Sequence, residues 1–413
     1  MKTDAADFDI VIVGGGMVGA SMACLLGSLD LRIALIDRTQ YDSTQLPFAQ
    51  DSLKFDARVS ALTPASQKIF SEIGAWEAIN AMRCCPYQDI EVWDADGTGR
   101  IHFSAAEINQ QSLGTIVENS IINTALYAAL EKVSNLKLMA PATIKDLSVN
   151  NASTILETEE GQQFAAGLVI AADGANSRIR ELAGFKTREW DYNHLALVTT
   201  VRTELPHKQT ALQRFIDTGP LAFLPLASKR EDDDQDYCSI VWSDVPDRAQ
   251  QLLEMPDDQF RHELATNIEN KLGTIEWVDK RYSFPLRQRH ALDYVQDNIV
   301  LIGDAAHTIH PLAGQGVNLG LLDAAALAAE LVRGLEAGRS PADPTVLGRY
   351  QRKRIGHNLG MMWLMEGFKH LFAEQALPVR WLRNVGMSGV DNISMIKNHL
   401  ARKAMGLDLP RNN

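Results

Sequence analysis

The amino-acid sequence predicts an α/β protein in which a doubly wound, mostly parallel sheet carries an inserted mixed β-sheet and is followed by a C-terminal helical region. Three observations predict this class. An apolar strand runs directly into a glycine-rich turn and a helix at residues 8–29, two later apolar strands end at Asp173 and Asp304, and segments rich in β-branched and aromatic residues lie between them. Alternating strands and helices form parallel sheets, whereas successive β-rich segments form mixed or antiparallel ones.

Length and composition limit the class of protein. With 413 residues the chain exceeds one ordinary single-core domain, so we expect two lobes. A net charge of -12 argues against a nucleic-acid partner, because binding a phosphate backbone needs clustered Lys and Arg. The four cysteines form no CxxC pair, and the adjacent Cys84 and Cys85 are poorly placed for a disulfide, which favours a reducing compartment. No apolar run reaches the roughly 18 residues of a membrane span, so we expect a cytoplasmic protein.

The first glycine-rich turn has the form of a dinucleotide-binding motif. The strand-like residues 8–13 are followed at once by Gly14, Gly16 and Gly19 in GxGxxG spacing and by a helical stretch at 20–29. In this setting the first glycine allows a tight turn, the second allows close approach of a pyrophosphate, and the third allows close packing of helix on strand. The N-terminus of the helix directs free N–H groups at the anion. The alternative is a plain glycine-rich turn.

A second predicted strand, at 32–36, ends at Asp37. This is the spacing at which a carboxylate contacts the ribose hydroxyls of an adenosine. The motif and this residue together predict dinucleotide binding, but they do not separate NAD from FAD.

Two later segments bear on which dinucleotide is bound. Residues 168–178 form a strand that ends in Asp173-Gly174, although Asp-Gly is also an ordinary turn dipeptide. Asp304 ends another buried strand, where ligands bind in open α/β sheets, and it could accept hydrogen bonds from the ribityl hydroxyls of a flavin. The glycines at 314, 316 and 320 open a long helix, whose N-terminus would stabilise the negative charge of a reduced flavin ring.

These motifs, in this order and over nearly the whole chain, resemble the flavoprotein aromatic hydroxylases of the para-hydroxybenzoate hydroxylase type. The segment 310–323 further resembles the signature of the ubiquinone-biosynthesis branch, and stretches such as 116–120, 190–192 and 238–243 are most similar to its 2-polyprenylphenol 6-hydroxylases. The resemblance implies a Rossmann-like FAD-binding domain and a monooxygenase reduced by NAD(P)H, with NADPH favoured. Such an enzyme hydroxylates the ring of a polyprenylphenol with O₂ through a flavin C4a-hydroperoxide.

The resemblance also implies how FAD is bound. Gly14, Gly16 and Gly19 match the pyrophosphate site, and Asp37 matches the adenosine-ribose ligand, where many relatives have Glu. Arg58 matches an arginine that lies along the cofactor. Asp173 matches an acid thought to serve both flavin and nicotinamide binding, and Asp304 matches the residue that binds the ribityl chain. The loop that edges the isoalloxazine matches residues 311–318, which include Gly314, Gly316, Val317 and Asn318.

Catalysis in this family is carried mainly by the cofactor, so the protein must exclude water and position the ring. Pro311 and His310 are the candidate catalytic residues, with His310 either a ring-side acid or base or a structural histidine. We expect NAD(P)H to bind in a groove near Asp173 and Arg178. Asp304, His307 and His310 recur every third residue, but Pro311 indicates a loop and no further ligand has zinc-like spacing, so we expect no metal site.

The expected domain organisation is discontinuous. The FAD-binding domain comprises 1–80, 105–185 and 285–340, the substrate domain 81–104 and 186–284, and the C-terminal helical region 341–413. Strands at 198–202, 222–226 and 237–242 are expected to form the mixed sheet that covers the substrate ring.

Two alternatives to this function stay open. A hydroxylase of a small soluble aromatic acid would need an arginine for the carboxylate, either Arg202 or Arg214. A non-catalytic scaffold of a quinone-synthesis complex would keep the flavin fold without turnover. The oligomeric state is also left open.

The predicted helix at 359–372 is unusually apolar. Its apolar stripe comprises Met361, Leu364, Met365, Phe368 and Phe372, and Trp363 and Met362 fall outside that stripe. The stripe alone is typical of core packing, and the residues outside it predict in addition a contact with the inner face of the membrane, a prenyl chain or a protein of a ubiquinone-biosynthesis complex; a helix that belongs only to the core is the alternative.

Overall fold

The computed structural model describes residues 6–41, 54–94, 99–150, 153–228, 235–309 and 315–373, and the single residues 398, 402 and 405. Its strands are β1 (Phe8–Val13), β2 (Ile33–Ile36), β3 (Val59–Leu62), β4 (Cys84–Tyr87), β5 (Asp89–Asp94), β6 (Arg100–Ser104), β7 (Gly114–Glu118), β8 (Leu136–Met139), β9 (Ile144–Val149), β10 (Thr154–Thr158), β11 (Gln163–Ala171), β12 (Thr187–Thr203), β13 (Thr210–Ile216), β14 (Gly219–Leu226), β15 (Tyr237–Asp244), β16 (Ile275–Val278), β17 (Tyr282–Ala291), β18 (Val295–Gln296), β19 (Ile299–Leu301) and β20 (His307–Thr308).

The α-helices of the described ranges are α1 (Met17–Leu25), α2 (Pro64–Glu72), α3 (Trp76–Ala81), α4 (Asn119–Leu130), α5 (Arg178–Leu182), α6 (Pro246–Glu254), α7 (Asp257–Asn267), α8 (Gln315–Glu336) and α9 (Pro344–Ala373). Short 3₁₀ turns lie at Ala106–Ile108 and Gly303–Ala305. Helix α1 begins at Met17, three residues earlier than the sequence pattern predicts, because the helix starts directly after the glycine turn.

The first sheet is the predicted doubly wound layer. Its order is β18-β19-β11-β1-β2-β8, with β10 and β9 branching from β11. The central pairs are parallel, and only β18, β10 and β9 run antiparallel to their neighbours. Residues 10–13 of β1 and all of β2 and β19 are continuous apolar runs with almost no exposed surface, as expected for parallel strands covered on both faces. Helix α1 packs against α4 and α8 on this sheet.

The second sheet is mixed, which confirms that prediction. Its order is β20-β17-β12-β15-β14-β13-β5-β6, with β16 on β12, and all of its pairs are antiparallel except β13 with β5. Helices α6 and α7 cover one face, where Trp242, Phe260 and Leu264 share one apolar cluster. The opposite face, here called the inner face, contributes Leu226 and Tyr237 to a cluster with the small sheet of β3, β7 and β4.

The predicted apolar C-terminal helix, 359–372, lies entirely within α9. Met362 was expected outside the apolar stripe, and this expectation is wrong, because Met362 and Met361 are both buried in a cluster with Ile309 and Leu319. Adjacent side chains can both be buried here because Ile309 and Leu319 approach α9 from two different segments. Trp363 is 72% exposed, as expected. Of the helices in the described part of the chain, none combines the length and apolarity needed to span a bilayer.

Candidate active site

The glycine turn after β1 is built from close backbone contacts and one open position. Gly14 has φ +99°, and a Cβ there would lie 2.4 Å from the carbonyl oxygen of Ala172. A Cβ on Gly19 would lie 1.8 Å from the carbonyl oxygen of Gly14. At Gly16 the same position is open, with no atom of the described residues within 4 Å, and no side chain caps the N-terminus of α1. The turn therefore fits a pyrophosphate, because it offers free N–H groups and space beside them.

Asp37, at the end of β2, lies beside this turn. Its Oδ2 accepts the N–H of Gly15 at 2.6 Å and its Oδ1 accepts the N–H of Thr39 at 2.7 Å. The carboxylate of Asp37 thus links the glycine turn to the residues that follow β2. Tyr41 packs over Gly15 and against Tyr127, with ring centroids 4.5 Å apart, and closes one side of this region.

Asp173 follows β11 and lies against the glycine turn, since a Cβ on Gly14 would be 2.6 Å from the Asp173 Cα. Its Oδ2 accepts the N–H groups of Arg178 at 2.7 Å and Ile179 at 3.1 Å. Its Oδ1 is buried without a hydrogen bond to any described residue. Burial raises the pKa of Asp173, while hydrogen bonds from Ser177 and from backbone N–H groups oppose that rise. The buried Oδ1 beside the turn is an acceptor that a bound ligand could use.

Asp304 lies in the Gly303–Ala305 turn after β19. Its side chain is exposed, yet enough protein surrounds it that desolvation raises its pKa, against the opposing charges of His307 and Arg58. This carboxylate therefore has protein on most sides and one accessible side, and the space on that accessible side is here called the cleft. Arg58 is exposed in the same region, with its guanidinium 5.6 Å from the centroid of the Phe284 ring.

The first residues of α8 face this cleft. A Cβ on Gly316 would meet only the Oδ1 of Asp304 among the described residues, at 4.0 Å, so the helix begins close to this carboxylate and its other surroundings there are open. Val317 is half-buried. His310, Pro311 and Gly314 lie outside the described residues.

Asn318 has a different environment from its neighbours. Its Oδ1 accepts the N–H of Thr63 at 3.0 Å and the hydroxyl of Ser66 at 2.7 Å, and its Nδ2 donates to the carbonyl of Ala61 at 2.8 Å. The buried amide therefore ties α8 to the turn between β3 and α2. A contact of Asn318 with the cofactor would come from its backbone.

The predicted cofactor residues converge because the strands that carry them are neighbours. β19, β11 and β1 are parallel and adjacent, and Asp304, Asp173 and Gly14 all follow their C-terminal ends. This edge of an open α/β sheet is where ligands bind. The arrangement fits an elongated dinucleotide with its pyrophosphate at the glycine turn and its ribityl chain at Asp304.

Two residues of this site were missed by sequence reasoning. Buried Arg180 donates to the carbonyls of Ala305 at 2.9 Å and Ala175 at 2.7 Å, so it links the two aspartate-bearing loops. Buried Asp323 accepts the N–H of Gly303 at 3.1 Å. The one sequence signal for Asp323 was a carboxylate within the otherwise apolar run 319–329, since burial of such a group requires partners.

The two arginines considered for a substrate carboxylate have other partners. Arg202 donates to Asp236 at 2.7 Å and lies 3.6 Å from Glu276. Arg214 donates to the carbonyl of Asn267 at 2.6 Å and pairs with Glu269 at 3.1 Å, on the face covered by α7. Arg214 therefore lies on the face away from Asp304, whereas Arg202, opposite Tyr237, belongs to the inner face and is engaged there by Asp236.

Comparisons with known proteins agree with this geometry. The 3-demethoxyubiquinol 3-hydroxylase of Escherichia coli (strain K12) is 38% identical over 399 residues, covering 97% of this chain and 98% of the relative. The ubiquinone hydroxylase UbiL of Rhodospirillum rubrum is 34% identical, covering 96% and 89%. The mitochondrial ubiquinone biosynthesis monooxygenase COQ6 of Xenopus tropicalis is 33% identical, covering 97% and 93%.

Solved structures of low sequence identity share the fold. The p-nitrophenol 4-monooxygenase PnpA of Pseudomonas putida DLL-E4 superposes with a TM-score of 0.75 at 18% identity, covering 96% of this chain and 98% of the other. The OxyS anhydrotetracycline hydroxylase of Streptomyces rimosus gives a TM-score of 0.68 at 19% identity, covering 97% and 76%. The FAD binding domain family matches residues 7–361. The chain therefore belongs to the FAD-binding monooxygenases of the para-hydroxybenzoate hydroxylase superfamily, among the ubiquinone-biosynthesis hydroxylases.

Proposed function

We propose that this chain uses NAD(P)H, with NADPH favoured, and O₂ to hydroxylate the aromatic ring of a polyprenylphenol intermediate in ubiquinone biosynthesis. In the balanced reaction one oxygen atom of O₂ enters the ring, the other leaves as water, and NAD(P)H supplies two electrons. Bound FAD supplies the redox chemistry that activates O₂. The names of three relatives, all ubiquinone hydroxylases or monooxygenases, support this substrate class.

The observation that carries the proposal is the chemistry of the inner face next to the cleft. Residues directly opposite each other in an antiparallel pair share a face, which places Phe284 beside Ala196 and Val198 beside Val241. Phe284 is also the ring below Arg58, so this face borders the cleft. Most side chains at the centre of this face are small and apolar. They are Ala196, Val198, Val241, Ala222 and Leu224, with the small polar Ser239 and Ser243 between them. Such a face suits an alkylated phenol.

The same face argues against a small aromatic acid as the substrate. A buried carboxylate would need a cationic partner to offset its desolvation. Arg202 and Arg214 are engaged by carboxylates and a backbone carbonyl, as described above. A phenol that has no carboxyl group has no such requirement.

The proposed roles of the site residues follow the geometry. Gly14, Gly16 and Gly19 hold the FAD pyrophosphate, Asp37 the adenosine ribose and Asp304 the ribityl chain, while Arg58 lies along the cofactor and Asp173 serves both flavin and nicotinamide. We propose that a loop at the edge of the flavin ring also contacts FAD. This proposal is supported by the family resemblance and by the start of α8 near Asp304. The loop includes Pro311, His310, Gly314, Gly316, Val317 and Asn318. The proposal includes the domain organisation. The FAD-binding domain comprises 1–80, 105–185 and 285–340, the substrate domain 81–104 and 186–284, and the C-terminal helical region 341–413.

Product analysis tests the substrate and the ring position together. The FAD-loaded protein is given NADPH and O₂ with a 2-polyprenylphenol, a demethoxyubiquinol or 4-hydroxybenzoate, and the products are assigned by mass spectrometry and NMR. We expect NADPH oxidation to be stimulated by a prenylated ring, with one oxygen added, and the position of that oxygen to distinguish the 6-hydroxylase predicted by resemblance from a 3-hydroxylase. Turnover with 4-hydroxybenzoate alone would contradict the proposal.

A contact at the membrane surface is proposed for the C-terminal region. A polyprenyl substrate resides in the bilayer, so the enzyme must meet it at the inner face of the membrane or through a protein of a ubiquinone-biosynthesis complex. The exposed indole of Trp363 supports this proposal, because tryptophan partitions to membrane interfaces.

A further inference from the structure

A buried carboxylate lies directly behind the turn that presents Asp304. Asp323, on α8, has no exposed surface. Each of its two carboxylate oxygens accepts two hydrogen bonds. Oδ2 accepts from the backbone N–H of Gly303 at 3.1 Å and from Nε2 of His307 at 2.5 Å. Oδ1 accepts from Nε of Arg354 at 2.6 Å and from Nδ2 of Asn358 at 3.1 Å.

The two partners on Oδ2 flank Asp304 in sequence. Gly303 precedes it and adopts φ +60°, a left-handed conformation that favours glycine, and His307 follows it at the start of β20. Gly303 also packs tightly against Val18 on α1 and Gly320 on α8. One carboxylate oxygen therefore fixes both ends of the short segment that carries the predicted ribityl ligand.

The two partners on Oδ1 belong to α9. Arg354 donates from Nη2 to Asn358 at 2.8 Å, and Asn358 donates to the hydroxyl of Tyr294 at 3.2 Å. Arg354 and Asn358 are buried, so this network exchanges no hydrogen bonds with bulk water at its centre. In such an environment each hydrogen bond is stronger, and an unpaired group is costly.

The charge state of Asp323 matches this role. Burial raises the pKa of Asp323, but the charges of His307 and Arg354 and their hydrogen bonds outweigh burial and hold the pKa well below its usual range. The carboxylate is therefore ionised near neutral pH, where it accepts four hydrogen bonds.

We propose that Asp323 is a positioning residue for FAD binding: it holds the Gly303–Ala305 turn so that the carboxylate of Asp304 meets the ribityl chain, and Arg354 anchors it to α9. This inference rests on the proposed role of Asp304. Groups that orient a binding residue from behind are often as important as the residue itself, and at metal sites their loss costs about 10- to 100-fold in affinity.

The test is a titration of apoprotein with FAD, followed by flavin fluorescence and by visible circular dichroism at saturation. Asp323→Asn removes the charge at nearly constant volume. Because it leaves Arg354 buried without an anion, it could fail to fold. The double variant Asp323→Asn with Arg354→Gln removes both charges together and avoids that problem. Glu330→Gln is the matched control, since Glu330 is also a buried carboxylate on α8 and pairs with Arg333 away from the turn.

We expect the FAD dissociation constant to rise about tenfold or more in the Asp323 variants, with an altered dichroism of the bound flavin, and to stay at the wild-type value in Glu330→Gln. Wild-type affinity and dichroism in the folded double variant would overturn the inference. Asp304→Ala is titrated in parallel. If it also binds FAD normally, the ribityl assignment and this inference both fail, whereas the product analysis of the proposed function is unaffected by either result.

Discussion

Arg180 lies between the two aspartate-bearing loops and is hydrogen-bonded to both through backbone carbonyls. Its Nη1 lies 2.9 Å from the oxygen of Ala305, and its Nη2 lies 2.7 Å from the oxygen of Ala175. Ala305 follows Asp304 directly, and Ala175 lies two residues after Asp173. One buried side chain therefore sets the separation of the two predicted cofactor carboxylates.

The first prediction concerns Arg180→Met. The buried carbonyl of Ala305 and the half-buried carbonyl of Ala175 would each lose a charge-assisted hydrogen bond worth about 1.5–3 kcal/mol, although Ala175 keeps a bond from Arg289, so we expect the free energy of unfolding to fall by about 3 kcal/mol. We also expect weaker FAD binding, because the two loops would no longer be held at one distance. Urea unfolding and FAD titration measure these effects separately.

Arg281→Met is the control for Arg180→Met. Arg281 is largely enclosed, donates to the carbonyl of Leu252 at 2.8 Å and pairs with Asp257, on the second sheet. It should lower stability without changing the affinity for FAD. Equal effects of the two substitutions on FAD affinity would show that Arg180 acts through global stability alone.

The second prediction concerns Asp173→Ala. Asp173 lies between the glycine turn and α5 and has a buried oxygen without a hydrogen bond to the described residues. Given its proposed dual role, we expect the rate of flavin reduction by NAD(P)H to fall more than substrate affinity does. Stopped-flow reduction of the FAD-loaded variant measures this rate, and a wild-type rate in a folded, fully loaded protein would contradict the role.

The third prediction is a pH dependence of stability caused by His290. Desolvation, assisted by the nearby charges of His307 and Arg188, lowers the pKa of His290 from 6.5 to about 4. Between these values the unfolded chain binds a proton that the folded protein does not bind, so the free energy of unfolding falls as the pH falls. The free energy of unfolding falls by about 3 kcal/mol in total once the pH is below the folded-state pKa, and this loss is absent above about pH 6.5.

His290→Gln should reduce this loss of stability between about pH 6.5 and pH 4, measured by urea unfolding at a series of pH values. His262→Gln is the control, because His262 is exposed on α7. An unchanged slope in His290→Gln would mean that other groups cause the acid sensitivity.

The fourth prediction separates two adjacent residues of α9. Met362 is 4% exposed and packs with Ile309, so Met362→Ala should cost about 2–5 kcal/mol of stability. Trp363 is 72% exposed, so Trp363→Gln should leave stability nearly unchanged while reducing liposome flotation and turnover on long-chain relative to short-chain prenylphenols. If flotation and chain-length preference both stay at wild-type values, Trp363 makes no membrane or prenyl contact.

The convergence of the candidate cofactor residues at one edge of the first sheet could be predicted from sequence because its signals are local. Each of Gly14, Asp173 and Asp304 follows an apolar strand within a few residues, and parallel neighbouring strands bring their C-terminal ends to one edge of the sheet. The periodicity of each segment and its terminal residue were therefore sufficient. The mixed second sheet was predictable for the same reason, since β-branched and aromatic runs indicate strands without reference to the rest of the chain.

Only the tertiary structure decided what Arg180, Asn318, Asp323 and Met362 do. Their partners lie far away in the chain: Arg180 reaches Ala305, Asn318 reaches Thr63, and Asp323 reaches Arg354. Local periodicity reports which face of an element is apolar, but a buried charge or amide is stable only where distant segments bring donors and acceptors to it. For the same reason the helical period placed Met362 outside the apolar stripe, whereas contacts from Ile309 and Leu319 bury it.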